Sequence, residues 1–302
     1  MITEKINDLP KFEKVAVIIN VKTHVSSTLA LLSVHKKVKC PIVLFDCSED
    51  DFESHYFELL QKEFNFFIIK LPLRIHGLTL DYIFKNINAK YILLMDSDAE
   101  IKKSEYFEND LFYHQNSFGL GFINGPCWLS EISAGAGGKF VFYQERMFMP
   151  CVLLKREMVL DALNAECSFA AKEILNDTPI RLINRVIKKR FKIDYFKEHD
   201  IKILNLLRKT YYDYNKPSRI IYDTGAEIYL YLKYRLFRNF IGVPETFHTR
   251  YFNHYFGLTR KTLNNQDKNI GNHNNINIRI CSILEREYNF DIKKLDKTNS
   301  II

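Results

Sequence analysis

Short apolar runs alternate with segments of helical spacing over the first hundred residues, and this alternation constrains the fold more than any other feature. Strands that alternate with helices of this length predict an α/β fold with a mostly parallel sheet covered by helices. The predicted strands cover residues 15–21, 41–45, 66–71 and 91–95, and the predicted helices cover residues 26–36, 52–64 and 79–87, with Ser26 and Thr79 as N-caps.

The alternation ends near residue 98, and the rest of the sequence is less regular. A polar, Asn-rich segment at 264–277 predicts a linker or long loop. The predicted strands here cover residues 118–123, 139–143 and 149–155, and helical patterns cover residues 157–207, 224–237 and 278–288, the last of these forming an amphipathic tail.

The chain carries a net charge of +7 over 302 residues, which suits an anionic substrate or an anionic membrane surface. Nucleic-acid binding is not expected, because the sequence has no long basic stripe and no nucleic-acid motif. The densest basic cluster, at 188–192, is typical of a solvated helix end.

Cysteine usage and hydropathy predict a cytoplasmic protein. The six cysteines form no Cys-x-x-Cys pair, which favours a reducing compartment and argues against a disulfide framework. The first ten residues lack the apolar core of a signal peptide, and no stretch of about 18 apolar residues predicts a transmembrane helix. Peripheral contact with the inner face of a membrane is compatible with the basic charge.

The fourth predicted strand ends in Asp96-Ser97-Asp98. Ligands of α/β sheets bind outside the carboxyl ends of the strands, and two carboxylates there suit Mg²⁺ or Mn²⁺ beside a phosphate. Strand geometry would place Asp96 and Asp98 on one side if the extended backbone continued through them. The alternative is a polar turn, since Asp and Ser are common turn residues.

Five segments, in chain order, resemble those of family 2 glycosyltransferases with a GT-A fold. They are residues 17–23, Asp46-Cys-Ser-Glu-Asp50, Arg74-Ile-His-Gly77, Asp96-Ser-Asp98, and the pair Asp223-Thr-Gly225 with His254-Tyr-Phe-Gly257. The resemblance implies a Rossmann-like, nucleotide-binding half at about 1–100 and an acceptor-binding half at about 101–262. Residues 263–302 would form the polar linker and helical tail.

The resemblance implies a role for each of these segments. The donor would contact Val21, Asp46, Arg74, Gly77, Asp96, Ser97 and Asp98. Asp98 and His254 would hold Mn²⁺ or Mg²⁺ against the diphosphate, and Asp223 would deprotonate the acceptor hydroxyl. The alternative for Asp223 is a helix N-cap, and for His254 a packed core histidine.

Trp128, Glu145 and Arg146 lie between the metal motif and Asp223, in the region that borders the sugar and acceptor in this fold. Trp128 would stack on a sugar ring or belong to the core, and Glu145 with Arg146 would otherwise form a structural pair. The stretch after Lys155 departs from the family pattern, because Glu157 to Leu175 is predicted to continue as a helix.

The function that the resemblance implies is metal-dependent, inverting transfer of a hexosyl or N-acetylhexosaminyl group from a UDP-type nucleotide sugar to a saccharide or lipid-linked saccharide hydroxyl. Three alternatives stay open: a retaining GT-A enzyme, a sugar nucleotidyltransferase, and a non-catalytic nucleotide- or sugar-binding protein. A nucleotidyltransferase usually carries a glycine-rich loop after its first strand, and residues 21–25 contain no glycine.

Overall fold

The computed structural model describes residues 5–113, 116–124, 127–129, 140–143, 145–178, 218–255 and 270–297. The first half alternates strands with helices, as the sequence predicted. Its elements are β1 (Phe12–Asn20), α1 (His24–Ser33), β2 (Ile42–Asp46), α2 (Asp51–Leu60), β3 (Phe67–Lys70), α3 (His76–Asn86) and β4 (Ala89–Asp96). All three pairings among these strands are parallel, so the expected parallel sheet is confirmed.

The second half adds nine strands and five helices in the described ranges. They are β5 (Ala99–Ile101), α4 (Asp110–Tyr113), β6 (Ser117–Asn124), β7 (Cys127–Leu129), β8 (Phe140–Tyr143), β9 (Arg146–Lys155), α5 (Arg156–Asn164), β10 (Lys172–Thr178), β11 (Ser218–Tyr222), α6 (Ala226–Leu230), β12 (Asn239–Pro244), β13 (Phe252–His254), α7 (Ile270–Tyr288) and α8 (Lys293–Lys297). Short 3-10 segments cover Ile6–Asp8, Glu105–Glu108 and Glu245–Arg250, and π-helical turns cover Val34–Val38 and Tyr231–Arg235.

The central sheet has seven strands in the order β12-β6-β9-β4-β1-β2-β3. Strand β9 runs antiparallel to both of its neighbours, and the other pairings are parallel. A second sheet has the order β10-β11-β8-β7, and β13 pairs with β5 in a two-stranded ribbon. The ribbon follows directly from the end of β4, which brings a late segment of the chain to the carboxyl edge of the central sheet.

Alternate residues of the central strands pack on opposite faces of the sheet. Ile18 and Leu93 join a core that includes apolar residues of α1, α2 and α7, whereas Val17 and Leu94 join a core with α3, α5 and α6. All four side chains are at least 97% removed from solvent. Burial on both faces explains why these strands read as continuous apolar runs.

Several element boundaries differ from the sequence predictions. Helix α1 begins at His24 and α3 at His76, so Ser26 and Thr79 lie inside helices and the predicted N-caps are wrong. The predicted helix at 278–288 begins earlier, at Ile270, within the segment expected to be a loop. Its buried face packs into the α1 core, and such tertiary contacts outweigh the weak helix propensity of the Asn-rich stretch.

The helix predicted from Glu157 to about Leu207 ends at Asn164. Glu166 adopts a left-handed φ of 65°, and the Cys167 amide donates to the Ala162 carbonyl, which closes the helix C-terminus. Strand β10 then pairs antiparallel with β11, so strand pairing distant in sequence replaces the helix there. The basic cluster at 188–192 lies outside the described residues. No described helix combines the length and apolar character needed to cross a bilayer.

Candidate metal and catalytic site

The turn after β4 places two carboxylates at the carboxyl edge of the sheet. Strand β4 ends at Asp96, Ser97 and Asp98 form a turn, and β5 begins at Ala99. The strand argument for placing Asp96 and Asp98 on one side required an extended backbone through Asp98. The backbone turns at Ser97 instead, so that condition is not met. The turn geometry that seemed to compete with a metal site is instead what presents the carboxylates.

His254 reaches the same turn from the end of β13. It pairs with Ala99 across the β5–β13 ribbon, and the Tyr255 amide donates to the Asp98 carbonyl at 2.9 Å. Backbone pairing thus fixes His254 opposite the residue that follows Asp98. The histidine thus lies at the motif, and its ring also packs edge-on against Phe148 at 5.9 Å.

Asp96, Asp98 and His254 form a compact group of three side chains that could hold a metal ion. One ligand atom from each lies within 4.8 Å of the others. His254 Nε2 is 3.2 Å from Asp98 Oδ1 and 3.7 Å from Asp96 Oδ2. Adjacent ligands about 2.1 Å from an octahedral ion lie roughly 3 Å apart, so the spacing fits a divalent cation. Two carboxylates with one imidazole suit Mn²⁺ in particular.

Burial separates the roles of the two carboxylates. The Asp98 side chain is 5% exposed and that of Asp96 is 30% exposed. A buried carboxylate that faces an imidazole is suited to ligate a metal directly, whereas the Asp96 carboxylate is open to solvent and therefore accessible to a nucleotide sugar. The difference in burial favours Asp98 over Asp96 as a direct ligand, and the role of Asp96 toward a donor stays a prediction.

A buried polar network supports the turn from the β1 side. Asn20, at the end of β1, accepts hydrogen bonds from the Thr23 amide and the Ser27 hydroxyl through its side-chain oxygen. The Thr23 hydroxyl donates to Ser97 Oγ at 3.1 Å, and Ser97 is 3% exposed. Ser97, predicted as a donor contact, therefore also connects the carboxylate turn to the N-terminus of α1.

Asp46 ends β2 inside the same network. Its carboxylate accepts from the Asn20 amide, from the Ser48 backbone and hydroxyl, and from the Ser54 hydroxyl. A carboxylate has about four acceptor positions, so a nucleobase would have to replace one of these donors. Ser48 bonds Asp46 and does not cap α2, since Asp50 accepts from the Phe52 and Glu53 amides.

The other predicted donor contacts lie around the same edge. Val21 is buried after β1, and Arg74 is exposed with its guanidinium 5.6 Å from the centre of the Tyr82 ring. Gly77 is buried, and a Cβ there would lie 2.3 Å from the Ala170 backbone. The backbone at 77 packs so closely on the backbone at Ala170 that only glycine fits there. This packing explains the glycine without any contact to a nucleotide sugar.

A cleft opens beside Asp96, between the sheet and α3. Its empty volume is about 220 Å³, including space open to solvent. The lining is apolar apart from two side chains: Val17, Ile19, Leu80, Leu94, Met95 and Met149 with His76 and Asp96.

Asp223, the predicted base, lies just after β11 and makes an ion pair with Arg146. Arg146 Nη2 is 2.7 Å from Asp223 Oδ2, and the two side chains are 15% and 19% exposed. The Thr224 amide donates to Asp223 Oδ1. Gly225 adopts φ 79° before α6, and its amide donates to the Phe169 carbonyl. The Asp223 carboxylate therefore pairs with an arginine and does not cap the helix.

Glu145 and Arg146, adjacent in sequence, have separate partners. Glu145 is buried and accepts from the hydroxyls of Tyr229 at 2.9 Å and Tyr234 at 3.0 Å. Lys233 Nζ lies 3.1 Å from the same carboxylate. Burial and the neighbouring Glu145 charge raise the pKa of Tyr229, so its phenol stays a donor. Glu145, Tyr229, Lys233 and Tyr234 are called the Glu145 cluster below. Arg146 pairs with Asp223 instead, so the alternative of a Glu145–Arg146 pair is wrong.

Trp128 lies in β7, opposite Phe142 of β8 in an antiparallel pairing. The side chain lies outside the described part of the structure, so the predicted contact with an acceptor stays a prediction.

Sequence reasoning missed several residues that organise the site. Asn20 ends an apolar strand next to the Asp46 strand, so its position at the sheet edge was a signal available in the sequence. Glu100 and Tyr288 could not have been found in this way, because they meet only through the packing of α7.

Neither a protein-family model nor a curated protein matches this sequence. Several solved structures are similar to part of this chain. The mannosyltransferase PcManGT from Pyrobaculum calidifontis, in complex with GDP-Man and Mn²⁺, is 9% identical over 50% of this chain and 47% of its own, with a TM-score of 0.37. S. aureus TarS 1-349 in complex with UDP is 13% identical over 71% and 59%, also with a TM-score of 0.37.

A third similar structure is 4-diphosphocytidyl-2C-methyl-D-erythritolsynthase from Anaerococcus prevotii, which is 9% identical over 72% of this chain and 90% of its own, with a TM-score of 0.36. The chain spans about half the length of PcManGT. A glycosyltransferase is thus among the structures that this chain resembles. The functional assignment below rests on the side chains described above.

Proposed function

We propose that this chain is a metal-dependent, inverting glycosyltransferase that uses a UDP-type nucleotide sugar. The observation that carries the proposal is the convergence of Asp96, Asp98 and His254 at the carboxyl edge of the sheet. Ligands of α/β proteins bind at this edge. A divalent ion held by Asp98 and His254 would supply positive charge to a diphosphate leaving group.

The donor would lie across the ends of β1, β2 and β4. Asp96 would accept hydrogen bonds from the ribose, which is supported by its position in the lining of the adjacent cleft and by its greater exposure. Val21, Asp46, Arg74, Gly77 and Ser97 surround the same edge, with Arg74 free to bring a guanidinium to phosphate oxygens. The sugar transferred would be a hexosyl or N-acetylhexosaminyl group.

Asp223 would act as the general base. Its carboxylate has two donors in the described part of the chain, Arg146 and the Thr224 amide, and a carboxylate has about four acceptor positions. It can therefore accept the proton of an acceptor hydroxyl while Arg146 holds its orientation. The acceptor oxygen then bonds to the anomeric carbon as the bond from that carbon to the nucleoside diphosphate breaks.

The acceptor would be a saccharide or lipid-linked saccharide that contacts Trp128, Glu145 and Arg146. The net charge of +7 favours peripheral binding to an anionic surface from the cytoplasm, where a lipid-linked acceptor would be presented. Nucleic acid has no part in this proposal.

The decisive experiment measures transfer by the full chain from a panel of UDP- and GDP-sugars, with Mn²⁺, Mg²⁺ or EDTA, by mass spectrometry of products. We expect Asp98→Ala to abolish transfer and metal-dependent nucleotide binding. The matched control is Asp110→Ala, which removes an exposed carboxylate at the start of α4 and should leave both unchanged.

Four results would redirect the proposal. Wild-type turnover by Asp98→Ala would exclude the metal assignment. Release of pyrophosphate from a nucleoside triphosphate and a sugar phosphate would identify a nucleotidyltransferase. Retained anomeric configuration in the product, measured by NMR, would identify a retaining enzyme. Nucleotide-sugar binding with neither transfer nor hydrolysis would identify a binding protein.

A further inference from the structure

Glu100 is a buried carboxylate next to the metal group that the function proposed above does not use. Its side chain is 2% exposed, on the strand that begins directly after Asp98. Glu100 Oε2 accepts from Asn253 Nδ2 at 2.9 Å and from the Tyr255 hydroxyl at 3.1 Å. Glu100 Oε1 accepts from the Tyr288 hydroxyl at 2.9 Å. These four residues form the Glu100 cluster.

The Glu100 cluster holds together the two strands that present the metal group. Asn253 is paired directly with Glu100 across the β5–β13 ribbon, one residue from the Ala99–His254 pair. Successive side chains of a strand point to opposite faces, so Glu100 and Asn253 meet on the face opposite His254. A shift between the strands would therefore move Asp98 and His254 relative to one another.

Tyr288 brings the end of helix α7 to this ribbon. The helix packs on the α1 core through Ile280 and Leu284, both fully buried. Lys36, in the turn after α1, donates from Nζ to the Tyr288 carbonyl, and its ammonium lies 5.3 Å from the centre of the ring. The phenol is thus fixed from both the α1 and the α7 side before it reaches Glu100.

The Tyr288 hydroxyl remains a donor at neutral pH. Burial, and then the charge of Glu100, raise the pKa of this phenol above its ordinary value. Removing the hydroxyl would leave Oε1 of a buried carboxylate short of a donor, and buried charges without hydrogen bonds are costly. The ribbon would relieve that cost by moving Glu100 toward water.

We propose that Tyr288, acting through Glu100, is a positioning residue for Asp98 and His254, so that helix α7 is a structural part of the metal site. The inference rests on the proposed metal site. Groups that orient metal ligands from outside commonly change metal affinity by about 10–100-fold when removed. Tyr288 acts one step further away, through the ribbon, so an effect near the lower end is expected.

The test compares Mn²⁺ binding by wild type, Tyr288→Phe and Tyr56→Phe, measured by calorimetry on the full chain. We expect Tyr288→Phe to weaken Mn²⁺ binding about tenfold. Transfer should show a higher apparent KM for Mn²⁺, with kcat restored at saturating Mn²⁺. The Tyr56 hydroxyl is also buried, and it bonds Thr28 at 2.8 Å and not the Glu100 cluster. Its removal should lower stability without changing Mn²⁺ affinity.

A second variant, Glu100→Gln, keeps the size of the side chain but leaves only one oxygen that can accept hydrogen bonds. It should weaken Mn²⁺ binding at least as much as Tyr288→Phe does. Unchanged Mn²⁺ affinity in Tyr288→Phe, or an equal loss in Tyr56→Phe, would overturn the inference. Asp98→Ala separates the two proposals: if it abolishes Mn²⁺ binding while Tyr288→Phe does not change it, the metal site stands and the role of α7 fails. If Asp98→Ala binds Mn²⁺ normally, the metal site itself fails.

Discussion

Asp98 and Asp223 are both partly enclosed carboxylates, but they face different nitrogen groups. Asp98 faces the imidazole of His254 at 3.2 Å, and Asp223 faces the guanidinium of Arg146 at 2.7 Å. A neutral imidazole offers a lone pair to a metal, whereas a guanidinium keeps its protons and can only donate. The first pair is therefore suited to ligate a cation, and the second is suited to orient a base.

A buried glutamate lies near each of these two carboxylates, and the two glutamates differ in one hydrogen-bond partner. The Glu100 cluster and the Glu145 cluster each bury a glutamate that accepts from two tyrosine hydroxyls. The third donor is the amide of Asn253 in the first cluster and the ammonium of Lys233 in the second. The surroundings of Asp98 are thus held by a strand ribbon, and those of Asp223 by the helical segment that follows it.

The comparison predicts its largest effect at His254. His254→Phe removes the nitrogen proposed to bind the metal and keeps a ring against Phe148, so Mn²⁺ affinity and transfer should fall by at least about a hundredfold. The paired control is His248→Phe, because His248 is also buried against Phe148 but is not in the metal group. Mn²⁺ titration with activity assays checks this. Equal losses in both variants would show that packing, and not ligation, is responsible.

The next largest effect is expected at Asp223. Asp223→Asn keeps the shape of the side chain and removes its basicity, so kcat should fall by about 10²–10⁴-fold. Donor and Mn²⁺ affinity should be nearly unchanged, since the metal group is separate. Single-turnover transfer with equilibrium binding of the nucleotide checks both. Transfer at the wild-type rate would assign the base to another residue.

A smaller effect is expected when Arg146 is replaced. Arg146→Gln removes the ion pair but leaves the Thr224 amide on Asp223, so kcat should fall less than in Asp223→Asn. Stability should fall by about 1–3 kcal/mol, between the values for exposed and buried pairs. Urea unfolding of both variants and of the double variant measures the coupling. Additive losses would mean that the ion pair contributes no net interaction.

The smallest effect concerns alkaline pH. Burial raises the pKa of Tyr288 and Tyr229 in the folded state, and unfolded tyrosine titrates near pH 10. The stability from these phenols is complete below about pH 10 and is lost as pH rises toward the folded values, by up to about 1.4 kcal/mol per pH unit for each group. Unfolding between pH 8 and 11 should show a shallower decline in Tyr288→Phe and in Tyr229→Phe. If the decline of stability with pH in one variant equals that of the wild type, the tyrosine removed in that variant makes no contribution to the alkaline loss of stability.

The sequence predicted the α/β sheet because β1, β2 and β4 are buried on both faces and therefore read as apolar runs. Motif order led to the prediction that Asp98, His254 and Asp223 share a site, and the structure brings Asp98 and His254 together. The sequence did not show that Arg146 pairs with Asp223, since β9 and β11 belong to different sheets and their meeting depends on tertiary packing.

Local propensity also misled where distant contacts decide the structure. The segment at 172–178 reads as a helix but forms β10, because β11 supplies a pairing partner some forty residues later along the chain. The residues at 270–277 read as a loop, but they form the first part of α7. The later residues of this helix are buried in the core. Glu100 showed no motif at all, because its partners come from β13 and α7.

The pairing of β13 with β5 has a consequence for how the protein is made. The ribosome completes the strands that carry Asp96 and Asp98 long before it adds His254. Closing the long loop between these segments costs conformational entropy, which the contacts of the completed ribbon must offset. A nascent chain can thus form the early parallel sheet and still lack its third ligand, so capacity to hold a cation would arise late in synthesis and mark completion of the fold.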